Sequence, residues 1–384
     1  MKSANDHFSA EDESRFPAAD APLPSDLIII GGGILGLATA FEVLGRGLSV
    51  TLLDEDPKRS AAWASAGMLS PYAEFAAAGA LQDMMRAART SYPAFVARVE
   101  EQSGMRVELA FPGTIFPLPR AEEGGATPEE WLEHFREMGA TCRHLPPAEA
   151  AEVEPQLRTH EEGAILLDDE GYVNPRSLLT ALRAAFDHLG GHWIRLPALG
   201  LAARQGRMAG VETSAGVVQG SAVVNAAGAG ADLFLLPEDQ ERYRVRPVRG
   251  QVVRLRPRDR REGIRRVLHQ PGIGYLVPRA DGSVIAGATS EEVGPFPGNT
   301  AGGLLSVLEG ARRMVPASEH WAFLGAWSGL RPLAGEGELF LEPDSSRKGL
   351  FHGLGLYRHG ILLAPMAATR MARLVVDYLG HAGR

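Results

Sequence analysis

The chain opens its ordered pattern with Leu27-Ile28-Ile29-Ile30, a short β-branched run of the kind buried on both faces of a parallel sheet. From Leu37 to Arg46, apolar and small residues recur at helical spacing, and Gly47 is placed to stop that helix. Leu48 to Leu53 then reads as a second strand ending at Asp54, which makes a β-α-β unit. Ala222 to Val224 is a further short strand that runs into small residues. Gly250 to Arg256, Gly274 to Pro278 and Ser283 to Ala288 read as strands joined by turn residues, with Asp281-Gly282 as a hairpin turn. Near the end, Met366 to Leu379 carry a periodic apolar face, Pro365 suits a first helical turn and Gly380 can cap the helix. Residues 1–25 are polar and carry Asp6, Glu11, Asp12, Glu13 and Asp20 against Lys2 and Arg15, which predicts a disordered tail.

Composition narrows the field. A chain of 384 residues is long for one core and predicts two domains. A formal net charge of −8 supplies no bulk attraction to nucleic acid or to anionic membranes. Eleven arginines lie between Arg242 and Arg266, but Arg242, Arg244 and Arg246 alternate as on the solvent face of a strand, and only Tyr243 offers stacking nearby. The single cysteine, Cys142, cannot form an internal disulfide, so the expected compartment is the cytoplasm. The start lacks the basic and apolar regions of a secretory signal, and the apolar stretch Leu27 to Phe41 falls short of the ~20 residues that span a bilayer. His188 and His192 have i,i+4 spacing, but Gly190-Gly191 end the helix between them, and no metal site is expected. Motifs for phosphoryl transfer, zinc hydrolysis and serine hydrolysis are absent.

One motif carries chemistry directly. Gly31-Gly32-Gly33-Ile34-Leu35-Gly36 is a G-x-G-x-x-G that follows a strand and opens a helix. Gly31 permits the tight turn, Gly33 lets the backbone approach a pyrophosphate, and Gly36 lets helix and strand pack closely. The helix N-terminus then faces the phosphates with its unpaired amides, and Asp54 can accept hydrogen bonds from a ribose. The β-α-β context makes nucleotide binding the expectation. It does not separate FAD from NAD.

Three further segments bear on that choice. Ala64-Ser65-Ala66-Gly67-Met68-Leu69-Ser70-Pro71-Tyr72-Ala73-Glu74 resembles the A-A-A-G-M-L-A-P-x-x-E signature of glycine oxidases within the D-amino-acid oxidase family. Ala222-Val223-Val224-Asn225-Ala226-Ala227-Gly228-Ala229 is similar to that family's V-V-x-A-A-G-A strand. Trp327-Ser328-Gly329-Leu330-Arg331-Pro332, followed by Gly355-Leu356-Tyr357-Arg358-His359-Gly360-Ile361-Leu362-Leu363-Ala364-Pro365, looks like the pair W-x-G-L-R-P and G-H-Y-R-N-G-I-L-L-A-P. The resemblance runs over nearly the whole chain after the tail.

It implies an α/β fold: a Rossmann-like FAD-binding domain from residues 26–106, 165–236 and 329–384, interleaved with an α+β substrate domain from 107–164 and 237–328 built on a mostly antiparallel sheet. It implies noncovalent FAD, held by Gly31, Gly33, Ile34, Leu35, Gly36 and Asp54; by Ser65, Ala66, Gly67 and Met68; by Ala198, Ala227 and Gly228; and by His359, Gly360, Ile361 and Leu362. Amides at the start of the last helix would stabilise negative charge on the reduced ring. The implied reaction is oxidation of glycine or another small amino acid by hydride transfer, giving imine, oxo acid and peroxide, in a thiamin-precursor context. Arg331 would clamp the substrate carboxylate with its planar guanidinium, Tyr275 of the Y-x-V-P-R match would donate a second hydrogen bond, and Arg358 matches the family arginine near the flavin. Three departures stand out: Leu356 and His359 where the family has histidine and asparagine, Ala334 to Leu341 in place of T-x-D-G-x-P-x-I-G, and Ala61-Ala62-Trp63 in place of hydroxyl-bearing residues. The residues leave open a D-amino-acid or sarcosine oxidoreductase using another acceptor, a flavin-binding protein without turnover, and a homo-oligomer.

Overall fold

The computed structural model describes residues 24–74, 79–119 and 126–382. The expected tail lies outside the described residues except for Pro24 and Ser25, and Ser25 already opens the first strand. In chain order, β1 (Ser25–Ile30), α1 (Ile34–Leu44) and β2 (Val50–Leu53) form the expected β-α-β unit. The helix begins three residues earlier than its periodicity indicated, because Gly33 caps it in extended backbone directly after the turn. Then follow α2 (Ala61–Ala64), β3 (Met68–Leu69), α3 (Ala80–Ser103), β4 (Leu109–Ala110), β5 (Thr114–Pro117), α4 (Pro128–Glu137), β6 (Cys142–Leu145) and α5 (Pro147–Val153). The middle of the chain gives β7 (Ala164–Leu167), β8 (Gly171–Val173), α6 (Pro175–His188), β9 (His192–Ile194), β10 (Gly200–Arg204), β11 (Arg207–Thr213), β12 (Gly216–Asn225) and α7 (Pro237–Tyr243). The last part gives β13 (Arg246–Arg256), β14 (Val267–Gln270), β15 (Gly274–Pro278), β16 (Val284–Gly287), α8 (Ala301–Met314), β17 (Ala322–Leu333), β18 (Phe340–Pro343), β19 (Leu350–Leu354) and α9 (Gly360–Ala382).

Two eight-stranded sheets organise these elements. In the first, β19, β12, β1, β2 and β9 run parallel as neighbours, with the β10-β11 meander and β18 antiparallel at its edges. Strand alternation divides its core: Leu27 and Ile29 face α1, α3, α6 and α9, while Ile28 and Ile30 face the meander. The second sheet has the order β17-β13-β16-β15-β14-β5-β7-β6 and is antiparallel throughout except for β14 on β5. Val307, Ala311 and Met314 of α8 cover one face of it. A small sheet, β3-β8-β4, lies between. Residues 165–167 and 329–333, expected with the nucleotide-binding part, are strands of the second sheet.

Several local expectations change. Pro365 falls inside α9 and not in its first turn, and the helix runs through Gly380. The proline lacks the amide that would bond Ile361, and the Tyr92 hydroxyl donates to the Ile361 carbonyl in its place at 2.8 Å. Arg242 belongs to α7, Arg244 has left-handed backbone after it, and only Arg246 lies on a strand; each has an acidic partner, Glu342, Glu336 and Glu292 respectively. The arginine run is therefore largely internal pairing. Among the described residues, no helix is long and apolar enough to cross a membrane, and no group of acidic, histidine or cysteine side chains is arranged to hold a metal.

Candidate active site

The first sheet creates a cradle at the carboxyl end of β1. Gly31 has φ +106°, and a Cβ there would stand 2.4 Å from the Ala226 carbonyl oxygen. A Cβ on Gly36 would stand 1.9 Å from the Gly31 carbonyl oxygen, so this pair of glycines sets how closely turn and helix meet. Gly33 brings no capping side chain to α1, and among the described residues beyond its own turn and helix the one atom within 4 Å of its missing Cβ is Ser60 Cβ at 3.6 Å. The first amides of an apolar helix are thus left to a ligand, the arrangement that binds pyrophosphate. Asp54 fastens the turn: one oxygen accepts from Gly32 N at 2.6 Å and the other from Asp56 N at 2.8 Å. Burial pushes its carboxyl up, against the pull of those two amides.

A cavity of about 1240 Å³ runs from this cradle to the second sheet, beyond the roughly 300–1,000 Å³ of ordinary small-ligand pockets. Its wall includes Gly31, Gly33, Ile34, Leu35, Asp54, Ser65, Ala66, Gly67, Met68, Ala198, Ala227, Gly228, Gly360 and Ile361. Three of the expected cofactor residues are elsewhere. Gly36 packs beneath the turn, Leu362 is buried in the helical core, and the His359 ring turns to Glu74, 3.3 Å away. For Leu362 the reason is helical: Gly360 and Ile361 face the wall, and the next position of α9 is rotated into the core. The segment 64–66 is held by the second sheet, since Trp327 Nε1 donates to the Ala64 carbonyl at 2.9 Å and the buried Arg279 guanidinium donates to that of Ala66.

At the other end the structure brings together Tyr275, Arg331 and Arg358. Tyr275 lies on β15 opposite Gly287, whose missing side chain makes room for the ring. Arg331 reaches back from β17 over Gly250, where a Cβ would stand 2.3 Å from its guanidinium. Arg331 Nη1 donates to the Thr289 carbonyl at 3.0 Å, and Arg358 Nη2 donates to Ser290 Oγ at 3.1 Å. Consecutive residues after β16 therefore fix two arginines that are 27 positions apart in the chain. Burial pushes the Tyr275 hydroxyl up to about 12, although Arg331 pulls the other way, so it remains a donor. Thr289, Ser290, Glu74 and His269 also line the cavity and were not singled out from sequence. Glu74 ends the quoted A-G-M-L motif; for the others the signal lies only in strand register.

A glycine cradle at the start of a helix, opening onto two fixed arginines and a half-buried tyrosine, is the arrangement of a nucleotide-binding fold with an adjoining polar pocket. The chain belongs to the FAD dependent oxidoreductase (DAO) family, which it matches over residues 26–374, and its cofactor is FAD. A bifunctional ThiO/ThiG protein of Nostoc sp. is 35% identical over 365 residues, covering 92% of this chain and 53% of that protein. The chain thus spans about half the length of such relatives. Glycine oxidase of Geobacillus kaustophilus is 30% identical over 358 residues, covering 91% of this chain and 92% of the relative. A crystal structure of glycine oxidase from Geobacillus kaustophilus superposes with a TM-score of 0.84 at 28% identity, covering 92% of this chain and 95% of the other. The interleaved two-sheet fold expected from the sequence is the fold of these neighbours.

Proposed function

We propose that this chain oxidises glycine, or a comparably small amino acid, by transfer of the Cα hydride to noncovalently bound FAD. The observation that carries the reading is the convergence of Tyr275, Arg331 and Arg358 on one end of a cavity whose other end is the glycine cradle. Support comes from the similarity to glycine oxidase and to ThiO/ThiG proteins.

In this reading Gly31, Gly33 and the first turn of α1 hold the pyrophosphate, and Asp54, with one lone pair of each oxygen engaged, offers the remaining ones to a ribose. Bound FAD supplies the hydride acceptor. The rest is positioning by the protein. Arg331, held by Thr289, and Tyr275 bind the substrate carboxylate; Arg358, held by Ser290, closes the far side. Gly360 and Ile361 place the start of α9, the positive end of its dipole, at the cavity wall, where it favours accumulation of negative charge. The imine then hydrolyses to an oxo acid, and oxygen is the acceptor we assign, with peroxide as product, in the cytoplasm and toward thiamin precursor synthesis. The proposed domains follow the two sheets, with the boundaries near 164 and 329 moved to keep β7 and β17 in the substrate domain.

Arg331→Met tests the assignment. Loss of a charge-assisted carboxylate clamp is expected to lower kcat/KM for glycine by on the order of 3 kcal/mol, or about a hundredfold, with the flavin spectrum retained. Unchanged kcat/KM removes Arg331 from the substrate site.

A further inference from the structure

The β14-β15 hairpin brings to the substrate end a histidine that the reading above leaves without work. In the strand register His269 stands directly opposite Tyr275, and Tyr275 stands opposite Gly287, so the imidazole and the phenol project from the same face of the sheet into the same cavity. His269 Nδ1 is enclosed and has no hydrogen-bond partner among the described residues. The charged groups that act on the ring are Glu74, from the segment after β3, and Arg358, from the approach to α9. On its other side β5 presents Thr114 and Ile115 to β14, both uncharged.

Glu74 is held in place from behind. The wholly buried Glu170 accepts hydrogen bonds from Tyr72 N at 2.7 Å and Ala73 N at 3.0 Å, which fixes the two residues before Glu74. Its carboxylate then lies against His359 at 3.3 Å and acts on His269.

We propose that His269, with Glu74 as its counter-ion, accepts the proton that the substrate ammonium must lose before hydride can leave Cα. This rests on the amino-acid oxidation reading. An ammonium nitrogen has no lone pair with which to form the C=N bond. In the step, one ammonium N–H bond breaks and one imidazole N–H bond forms; the nitrogen keeps the electron pair, and the net charge of the pocket is unchanged. The new imidazolium is stabilised by Glu74. The pair then forms C=N as hydride departs to FAD.

The other groups facing this space do not suit the task. Tyr275 is protonated throughout the working range, and the arginines are already cations. Glu74 is held below the usual carboxylate range: burial opposes this, but the contact with His359 and the neighbouring cations prevail, so it is a poor base. Burial and Arg358 push His269 down against the pull of Glu74, which keeps the ring neutral and ready to accept.

The test is the rate of anaerobic flavin reduction by glycine, followed from pH 6 to 10 in wild type, His269→Gln and Glu74→Gln holoenzymes. Binding of glycolate, which carries the carboxylate but no amine, is read from the flavin spectrum as a control. Both variants are expected to reduce at least about tenfold more slowly than wild type near pH 7 and to converge to within about threefold at pH 10, where the amine is neutral without help. Glycolate affinity for His269→Gln should stay within about twofold of wild type. A wild-type rate for His269→Gln at pH 7, or a deficit of the same factor at every pH, overturns the inference while leaving glycine as substrate. Failure of the wild type to reduce with glycine at any pH overturns the substrate reading and this step with it.

Discussion

Glu170 shows how much one side chain off the cavity wall can control. It is fully buried on the link before β8, and burial pushes its carboxyl up to about 7 from an ordinary value near 4.5, in spite of the amides of Ala73 and Tyr72 and the hydroxyls of Thr114 and Ser70. With the folded value raised, the stability it contributes is full below pH 4.5 and is lost as pH rises through about 7. The loss amounts to on the order of 3 kcal/mol over that window. Glu170→Gln cannot ionise, so the difference in unfolding free energy between variant and wild type should move in favour of the variant by that amount between pH 4.5 and 8. Parallel stability curves would contradict the assignment. Sequence inspection had no route to Glu170 or to His269. Each is a polar residue in an unremarkable stretch, and its role comes from what a distant segment places beside it.

At the scale of elements, the cradle gives a prediction that separates folding from binding. Gly36→Ala drives a Cβ into the Gly31 carbonyl, so it is expected to destabilise the apoprotein by about 1–3 kcal/mol as well as weaken FAD. Gly33→Ala meets only Ser60 Cβ at 3.6 Å, so the apoprotein should lose no more than about 1 kcal/mol. Its FAD affinity should nonetheless fall at least about tenfold, because the methyl group occupies the approach to the helix amides. Thermal melts of the apo variants and a fluorescence titration with FAD check both; an FAD affinity for Gly33→Ala equal to wild type places the pyrophosphate elsewhere. The β1-α1-β2 unit could be read from the sequence because its determinants are local: a strand run, a turn that only glycine fits and a helical period. The same holds for the Asp281-Gly282 hairpin, where Gly282 has φ +82° between β15 and β16. By contrast β17, which carries Arg331, gave no strand pattern. Its burial alternates poorly because it lies at the sheet edge beside the cavity. The start of α9 just after Arg358 was legible, but the place of Pro365 was not: the Tyr92 hydroxyl, from α3, supplies the bond that lets the proline stand inside the helix.

Across the whole molecule, the catalytic geometry depends on a chain that passes several times between two sheets. Arg331 sits on the second sheet, Arg358 follows the last strand of the first, and the segment after β16 holds both. The cavity is therefore a product of assembly, and no single segment carries the site. Of the three departures from the resembled family, those at Leu356 and His359 and at Ala61 to Trp63 fall around it, while Ala334 to Leu341 is off its wall. Leu356 lines the cavity, His359 pairs with Glu74, and Trp63 lies under the Arg176 guanidinium at the junction of the sheets. The most direct test is the visible spectrum of the purified protein under anaerobic conditions, before and after addition of glycine. The expected result is a yellow protein whose flavin bands bleach when glycine is added. A protein that cannot be loaded with FAD, or an FAD-loaded protein whose spectrum glycine leaves unchanged, would contradict it.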